Sequence, residues 1–235
     1  SSIAFAALDN IGANDPMGFG SRIACLTAPF ICLDGVNEKG VSIAVLTLDS
    51  EPTRQKTEGR PTIATSLVIR LVLDRADSTE AAVELIGGYA MLASSGRDYH
   101  FFITDASGDS RVVEYDCDSL ERTMTVTRVE ATTNFYAMHA DRVLPHQRNG
   151  RYGHGRERYD SVMDVIERTR GSATPEDAWE ALRVSSQLPD PEDITSNTQW
   201  SIVYSNTDLA AEASIRLHWE DRFGCDLRTG DVSKL

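Results

Sequence analysis

Apolar and polar positions along the chain alternate in blocks with strand-like and helix-like spacing. Short runs of apolar and β-branched residues, separated by turns rich in Gly, Asn and Asp, predict buried strands. Between residues 99 and 129, three such runs follow each other across short polar turns, which predicts an antiparallel meander. The predicted strands are Ile3–Leu8, Ile23–Leu26, Phe30–Leu33, Val41–Leu48, Tyr99–Asp105, Ser110–Tyr115, Arg122–Val129, Thr132–Phe135, Gln199–Tyr204 and Ala213–His218, with Phe223–Leu227 as an extension.

Two pairs of amphipathic helices separate the strand blocks. Ser78 stands before one helical run as its N-cap, and Gly87-Gly88 end that run. Thr174 and Pro175 open another helix as its N-cap and first helical residue. Because helices come in pairs and strands in runs, the order predicts antiparallel sheets with helices on their outer faces. The predicted helices are 62–76 and 78–87, then Arg158–Thr169 and Pro175–Val184, with a long polar loop at 137–155.

Composition narrows the range of partners. A chain of 235 residues suits one large domain or two small ones. Its 23 basic and 36 acidic residues give a net charge of −13, and the pI is about 4.8. These values argue against nucleic acid or an anionic membrane as the main partner, because both require a basic face. No apolar run approaches the roughly 18 residues of a membrane helix, so we expect no membrane span.

Side chains that could bind a metal or a cofactor are scattered along the chain. His139, His146 and His154 share the long loop, but their spacings of seven and eight residues fit no metal pattern. His100 lies in a predicted strand, where a structural role is favoured over that of a general base. The four cysteines form no CxxC pair and are interpreted as small buried residues: Cys25, Cys32, Cys117 and Cys225. The residues therefore predict no metal site and no cofactor.

Several segments carry a family resemblance. Phe30–Val41 reads FICLDGVNEKGV, and Tyr99–Gly108 reads YHFFITDASG. They resemble the DG(M/V)NEKGL and YHFxIADASG segments of the choloylglycine hydrolase and penicillin V acylase-like family, the linear amide C–N hydrolases. Further segments resemble this family in the same order, so that the resemblance spans nearly the whole chain. These are Thr65–Arg75 with Ser78–Leu85, Val112–Tyr115, Thr133–Phe135, Arg158-Tyr159 and Thr198–Tyr204.

The resemblance implies an N-terminal-nucleophile hydrolase, an α+β fold with a four-layer αββα sandwich of two antiparallel sheets, in a single domain over 1–235. The implied reaction is hydrolysis of a linear amide bond in a small molecule, such as a conjugated bile salt, a penicillin V-like compound or another N-acyl compound. An N-terminal thiol attacks the carbonyl, its own α-amino group transfers the proton, and fixed donors hold the oxyanion. The expected sheets come from 30–48, 99–135 and 199–218, and the expected outer helices from 62–87 and 156–185.

The resemblance also assigns two catalytic residues. Asn134 falls on the family's asparagine that stabilises the tetrahedral intermediate, and its amide donors suit an oxyanion. Arg158 falls on an arginine near the active centre, where a guanidinium can lower the thiol pKa or orient a carboxylate. Without the resemblance, these residues would be interpreted as a turn-capping asparagine and a surface arginine. Thr47 stands where bile salt hydrolases have a second oxyanion asparagine, which leaves Asn134 as the one side-chain donor assigned.

The beginning of the chain departs from the family pattern. Ser1–Leu8 resembles a strand that follows the nucleophile segment, and none of the four cysteines matches the nucleophile position. We therefore expect the catalytic cysteine upstream of Ser1, together with an arginine and an aspartate that position it, so that the chain is a processed product or a fragment lacking its first strands. Two alternatives stay open: Ser1 as the nucleophile, and a sandwich without catalysis that binds an amphipathic or acyl ligand. Compartment and homo-oligomerisation are left open.

Overall fold

The computed structural model describes residues 32–94, 96–143, 155–189 and 197–235. The predicted strands Ile3–Leu8 and Ile23–Leu26, and with them Ser1, Cys25, His146 and His154, lie outside these residues. The strands are β1 (Asp34–Val36), β2 (Ser42–Leu48), β3 (Thr62–Ala64), β4 (Ala90–Leu92), β5 (Asp98–Thr104), β6 (Ser110–Tyr115), β7 (Met124–Arg128), β8 (Trp200–Ser205), β9 (Ala210–Ile215), β10 (Arg222–Asp226) and β11 (Val232–Lys234). The helices are α1 (Thr65–Arg75), α2 (Thr79–Gly87), α3 (Ala140–Val143), α4 (Gly155–Thr169) and α5 (Pro175–Val184), with a 3₁₀ helix at Ala137–His139.

The larger sheet has the strand order β1-β2-β5-β6-β7, and every neighbouring pair is antiparallel. β2 and β5 pair over their whole length, from Ser42 opposite Thr104 to Leu48 opposite Asp98. In contrast, β1 pairs with β2 only as far as Ala44. The meander predicted between residues 99 and 129 is confirmed. The second half of β2 therefore has a strand neighbour on one side only among the described residues.

Helices α1 and α2 cover one face of this sheet. Phe101 and Ile103 of β5 and Val113 of β6 enter a buried apolar cluster with side chains of the two helices, which are Val68, Ile69, Val72, Ala82 and Ile86. Because successive side chains of a strand point to opposite faces, His100 and Glu114 lie on the other face of the sheet. Both are fully buried. The face turned away from these helices is thus where the sheet carries the buried His100 and Glu114.

The second sheet, in the order β11-β10-β9-β8, is also fully antiparallel and packs with α5. Trp179 of α5 is completely buried, and its indole N–H donates to Glu212 of β9 at 2.8 Å. The guanidinium of Arg222 in β10 lies 4.4 Å from the centre of the same ring. These two polar contacts fix the buried helix face against the sheet, and α4 packs beside α5.

Side chains of the two sheets meet at Asp34 in β1. Its carboxylate accepts hydrogen bonds from the indole of Trp200 at 3.1 Å and the hydroxyl of Tyr204 at 2.7 Å, both in β8. Burial and the nearby carboxylate raise the pKa of the Tyr204 hydroxyl, which therefore stays a donor. The hydroxyl of Ser42 also bonds to Asn206, just after β8. The edge of the larger sheet is thereby tied to the second sheet by polar contacts.

The predicted α+β class and the helix pairs are confirmed, and the capping signals predicted the boundaries of α2 and α5. Ser78 Oγ accepts from the backbone N–H of Ala81 at 3.1 Å, and α2 ends at Gly87. Thr174 forms a capping box with Asp177 at the start of α5. No helix in the described ranges is long and apolar enough to span a membrane. The stacking of the layers into an αββα sandwich stays a prediction.

Three expectations about local structure were wrong, and the strand β11 was not predicted. Residues 62–64 form a strand parallel to β4 rather than the first turn of a helix, because α1 begins only at Thr65. Residues 132–135 are irregular rather than a strand, and the side chains of Thr133 and Asn134 bond to main-chain oxygens of Gly155 in α4 and of Thr47 in β2. The loop expected at 137–155 contains the 3₁₀ helix and α3, and α4 already begins at Gly155. β11 has no predicted counterpart, because it is fully exposed and lacks an apolar face.

Candidate active site

Asn134 connects three separate parts of the fold. It lies in the irregular segment between β7 and the 3₁₀ helix. Its Nδ2 donates to the main-chain oxygen of Thr47 in β2 at 2.8 Å, and its Oδ1 accepts from Nη2 of Arg158, in the first turn of α4, at 2.8 Å. The two residues assigned by resemblance are therefore in direct contact, and Thr47 adjoins them.

These two hydrogen bonds fix the orientation of the Asn134 amide. A guanidinium only donates and a main-chain carbonyl only accepts, so the oxygen of the amide must face Arg158 and the nitrogen must face Thr47. The nitrogen carries two hydrogens, of which the bond to Thr47 uses one. Within the ranges that the structure describes, the second N–H has no acceptor. The site thus presents a single oriented amide donor.

Arg158 is half-buried at the beginning of α4. Burial lowers the pKa of its guanidinium, but the ordinary value of about 12.5 or more keeps the group charged at neutral pH. A charged donor makes a stronger hydrogen bond to the Asn134 oxygen than a neutral one would. The contact also polarises the amide and makes its N–H groups better donors.

A buried carboxylate holds the segment that follows Asn134. Glu114 Oε1 accepts from the backbone N–H of Ala137 at 2.7 Å, and Oε2 accepts from that of Met138 at 2.9 Å. The Nδ1 atom of His100 lies 3.0 Å from Oε1. Glu114 and His100 are both completely inaccessible to solvent. His100 therefore has the structural role that the sequence favoured, as a partner of the carboxylate that anchors the 3₁₀ helix.

A second carboxylate anchors the same segment through Tyr136. The hydroxyl of Tyr136 donates to Asp98 at 2.6 Å, and the backbone N–H of Thr53 donates to the other oxygen of Asp98 at 3.2 Å. Burial and the Asp98 carboxylate raise the pKa of the Tyr136 hydroxyl, so it remains a protonated donor. Arg122 lies 3.7 Å from Asp98 and balances its charge.

Residues on either side of Asn134 bind the beginning of α4. The hydroxyl of Thr133 donates to the main-chain oxygen of Gly155 at 2.8 Å. The rings of Phe135 and Tyr159 meet edge to face, with centroids 5.2 Å apart. Both neighbours of Asn134 are thus bound to the helix that carries Arg158. These contacts fix the position of the Asn134 side chain relative to that of Arg158.

Thr47 takes part through its main chain and not its side chain. Its carbonyl accepts from Asn134, and by strand alternation its side chain lies on the same face as Ile43 and Val45, which pack into the apolar cluster beneath α1. A carbonyl at this position would be present with any residue. The Thr47 side chain therefore takes no part in the contact with Asn134.

The described cysteines do not have the environment of an activated nucleophile. Burial raises the pKa of the Cys32 thiol and of the Cys117 thiol, which disfavours the reactive thiolate. Cys32 packs against the apolar cluster of the larger sheet. Cys225 is half-buried in β10 of the second sheet.

Sequence reasoning missed two groups that the fold brings together. Glu114 is an acidic residue inside the apolar run Val112–Tyr115, and an ionisable residue at a buried strand position was the available signal. Asp116, Cys117 and His139 lie together at the turn after β6, where one ligand atom from each is within 4.8 Å of the others. In the sequence, His139 lies 22 positions after Cys117, so no local spacing pattern marks this group.

Comparison with known proteins identifies the family. A model of the linear amide C–N hydrolases, choloylglycine hydrolase family, matches residues 10–142, which is more than half of the chain. The chain therefore belongs to this family of linear amide C–N hydrolases. A search of curated protein sequences found no significant match.

Solved structures with a similar fold include members of two hydrolase groups. Two variants of the conjugated bile acid hydrolase from Clostridium perfringens align with TM-scores of 0.66, at 16% and 15% identity, over 86% of this chain and 76% of theirs. Penicillin V acylase from Agrobacterium tumefaciens aligns with a TM-score of 0.65 at 20% identity, over 88% of this chain and 72% of that one. The chain thus has the fold of these hydrolases.

Proposed function

We propose that this chain belongs to an amidase that cleaves a linear amide bond in a small molecule, with Asn134 as the oxyanion donor and Arg158 as the residue that positions it. The observation that carries this proposal is the hydrogen-bonded series from Thr47 through Asn134 to Arg158. It leaves one amide N–H oriented by partners on both sides. A single domain over 1–235 is part of the proposal.

The arrangement suits a developing negative charge better than a neutral carbonyl. One N–H contributes little to binding of an uncharged amide substrate, but much to an oxyanion in a site that excludes water. Its two partners hold the Asn134 amide before substrate arrives, so no reorganisation is needed when the charge forms. Arg158 then acts through Asn134, as a positioning residue, rather than by touching the substrate.

We place the nucleophile on a cysteine encoded upstream of Ser1. The thiolates of Cys32 and Cys117 are disfavoured by burial, and none of the four cysteines matches the family position. The terminal thiol attacks the amide carbon, and the oxyanion collapses with loss of the amine, which takes its proton from the terminal ammonium group. Water then cleaves the thioester, releasing the carboxylic acid and regenerating the thiol.

The family relatives suggest which amides to test. Conjugated bile salts and penicillin V are the compounds that the similar hydrolases are named for, and both join a carboxylic acid to an amine through an acyclic amide. N-acyl homoserine lactones extend the panel to acyl chains on another amine. We propose an N-acyl compound of this kind as the substrate.

The decisive experiment compares Ser1–Leu235 with the longer chain that includes the residues encoded upstream. We expect the longer chain to hydrolyse at least one substrate and to gain the mass of an acyl group in intact-mass spectra. Ser1–Leu235 alone should lack turnover, because removal of a nucleophile typically reduces kcat by about 10⁶. Turnover by Ser1–Leu235 that disappears in Ser1→Ala would instead identify Ser1 as the nucleophile. Ligand binding without turnover in both chains would favour the catalytically inactive sandwich.

A further inference from the structure

A cluster of three different ligand types lies at the turn between β6 and β7. Asp116 and Cys117 directly follow β6, and His139 ends the 3₁₀ helix. One potential ligand atom from each residue lies within 4.8 Å of the other two, and all three residues are partly buried. The cluster combines a carboxylate, a thiol and an imidazole from two segments that are separated in sequence.

The imidazole and the carboxylate are already at the spacing of two ligands on one metal ion. His139 Nε2 lies 3.4 Å from Asp116 Oδ1. Zinc binds nitrogen and oxygen ligands at about 2.0–2.2 Å in a tetrahedron, which puts two such ligands about 3.3–3.5 Å apart. With its sulfur at about 2.3 Å, the thiolate would lie about 3.5–3.7 Å from either of them. The three ligand atoms lie within 4.8 Å of one another, so the side chains need to move only slightly to reach the spacing of zinc ligands.

The nitrogen of His139 has no other use among the described residues. Nε2 is shielded from solvent and makes no hydrogen bond there, although Asp116 is close to it. A buried polar atom without a hydrogen bond normally costs free energy. A cation between Nε2 and the carboxylate would satisfy both groups at once. Two ligands of one ion would lie at this distance and would make no hydrogen bond to each other.

The surrounding contacts hold the cluster in place. Glu114 binds the backbone of Ala137 and Met138, and the ring of Tyr136 lies 5.9 Å from that of His139. On the other side, the backbone N–H of Asp116 donates to Thr123 at 2.9 Å. The ligands therefore project from two backbone segments that are both fastened, which lowers the entropic cost of binding an ion.

We propose that Asp116, Cys117 and His139 bind one Zn²⁺ ion, with water in the fourth position. Thiolate and imidazole ligands favour zinc over Mg²⁺ and Ca²⁺, which prefer oxygen ligands alone. The ion connects the β6–β7 turn to the segment that carries Asn134, and so stabilises that segment. This proposal concerns a structural site and does not depend on the amidase function.

The test uses Co²⁺ as a spectroscopic substitute for zinc in the full chain, freed of metal with EDTA. We expect one equivalent of Co²⁺ to produce a thiolate-to-cobalt charge-transfer band and tetrahedral d–d bands, and one equivalent of Zn²⁺ to abolish both. Zn²⁺ should also raise the midpoint of thermal unfolding. Cys117→Ser should remove the charge-transfer band, and His139→Gln should weaken metal binding by at least about tenfold, as changes around zinc ligands commonly do.

As matched controls, a cysteine and a histidine outside the cluster receive the same substitutions. Cys225→Ser and His218→Gln lie in or near the second sheet and should leave the band and the affinity unchanged. Circular dichroism of each metal-free variant shows whether the variant folds. If a variant does not fold, the cobalt spectrum of the parent chain alone decides whether a thiolate binds the metal. Absence of a thiolate band in the parent, a band of parental intensity in Cys117→Ser, or loss of the band in Cys225→Ser overturns the proposal.

Discussion

The Asn134 amide provides the most direct test of the proposed active site. Asn134→Ala removes a donor from the oxyanion and should reduce kcat by about 10²–10³, or about 2.7–4 kcal/mol, in the longer, active chain. The loss should lie towards the upper end of this range, because Thr47 offers no side-chain donor in compensation. KM should change less, since a neutral ground-state carbonyl gains little from the donor.

The contact between Asn134 and Arg158 allows the two proposed roles of the arginine to be separated. If Arg158 acts through Asn134, then Arg158→Ala should lower kcat in the parent but add almost nothing to Asn134→Ala. In a double-mutant cycle, the coupling energy then equals the effect of Arg158→Ala alone. If Arg158 lowers the pKa of the nucleophilic thiol, its effect is additive and the acidic limb of the pH–rate profile moves to higher pH.

Thr47→Val is the matched control for this experiment. The substitution removes the hydroxyl and keeps the main-chain carbonyl that accepts from Asn134 at 2.8 Å, so kcat should stay within about twofold of the parent. A large loss in Thr47→Val would mean that its side chain is the second oxyanion donor after all. The reasoning about Asn134 is refuted if Asn134→Ala keeps kcat within about threefold of the parent, far below the loss expected for an oxyanion donor.

Two further predictions concern stability and need no enzymatic activity. Glu114→Gln should lower the free energy of unfolding in urea by about 1–3 kcal/mol, because one buried donor then faces an NH₂ group. As a control, the exposed Glu84→Gln should change this free energy by less than about 0.5 kcal/mol. Equal effects of the two substitutions would contradict the anchoring role of Glu114. Asp105 is buried, which alone would raise its pKa, but hydrogen bonds from Ser107 and the first turn of α2 lower that pKa from 3.8 to about 2. Since the folded-state pKa is the lower one, Asp105 stabilises the fold by about 2 kcal/mol above pH 4, and this is lost as the pH falls through 2. Asp105→Asn should therefore destabilise most at neutral pH, with a difference that shrinks between pH 4 and pH 2; a difference that stays constant over this range would contradict the reasoning.

The regular elements could be predicted where local signals agree with the tertiary contacts. α5 runs from Pro175 to Val184 as expected, because the N-cap, the first-turn proline and the apolar face that carries Trp179 all indicate the same helix. The strands at 110–115 and 199–204 were placed within a residue of the structure for a similar reason. In these segments, hydrogen bonding, burial and intrinsic preference favour one conformation.

The segment around Asn134 could not be predicted by the same rules. Thr132, Thr133 and Phe135 are residues that favour strands, but the backbone there pairs with no neighbouring strand. The hydroxyl of Thr133 bonds instead to the start of α4, and the backbone N–H of Ala137, just after this segment, bonds to the carboxylate of Glu114. Such contacts join residues that are distant in sequence, and only a resemblance to known proteins could bring Asn134 and Arg158 together beforehand.

The position of Asn134 also gives it a structural role that the catalytic experiment must take into account. Val45 in β2 donates its N–H to Leu33, on the side where β1 lies, and by alternation the carbonyl of Thr47 points to the same side. β1 does not pair that far, so the Asn134 amide satisfies a carbonyl at a sheet edge that no described strand covers. Asn134→Ala leaves this carbonyl to water and removes a neutral acceptor of Arg158.

A loss of stability is therefore expected alongside the catalytic loss, at about 0.5–1.5 kcal/mol for each hydrogen bond removed. This is too small to unfold a domain of ordinary stability. An effect on folding alone would lower the amount of active enzyme and leave kcat per folded molecule unchanged. Titration of the active site counts the molecules that are folded and able to form the acyl-enzyme. The oxyanion role requires that kcat of these molecules fall by orders of magnitude. The two measurements therefore separate the two roles of Asn134. A lower free energy of unfolding reports its hydrogen bond at the sheet edge, and a lower kcat per active site reports its hydrogen bond to the oxyanion in the transition state.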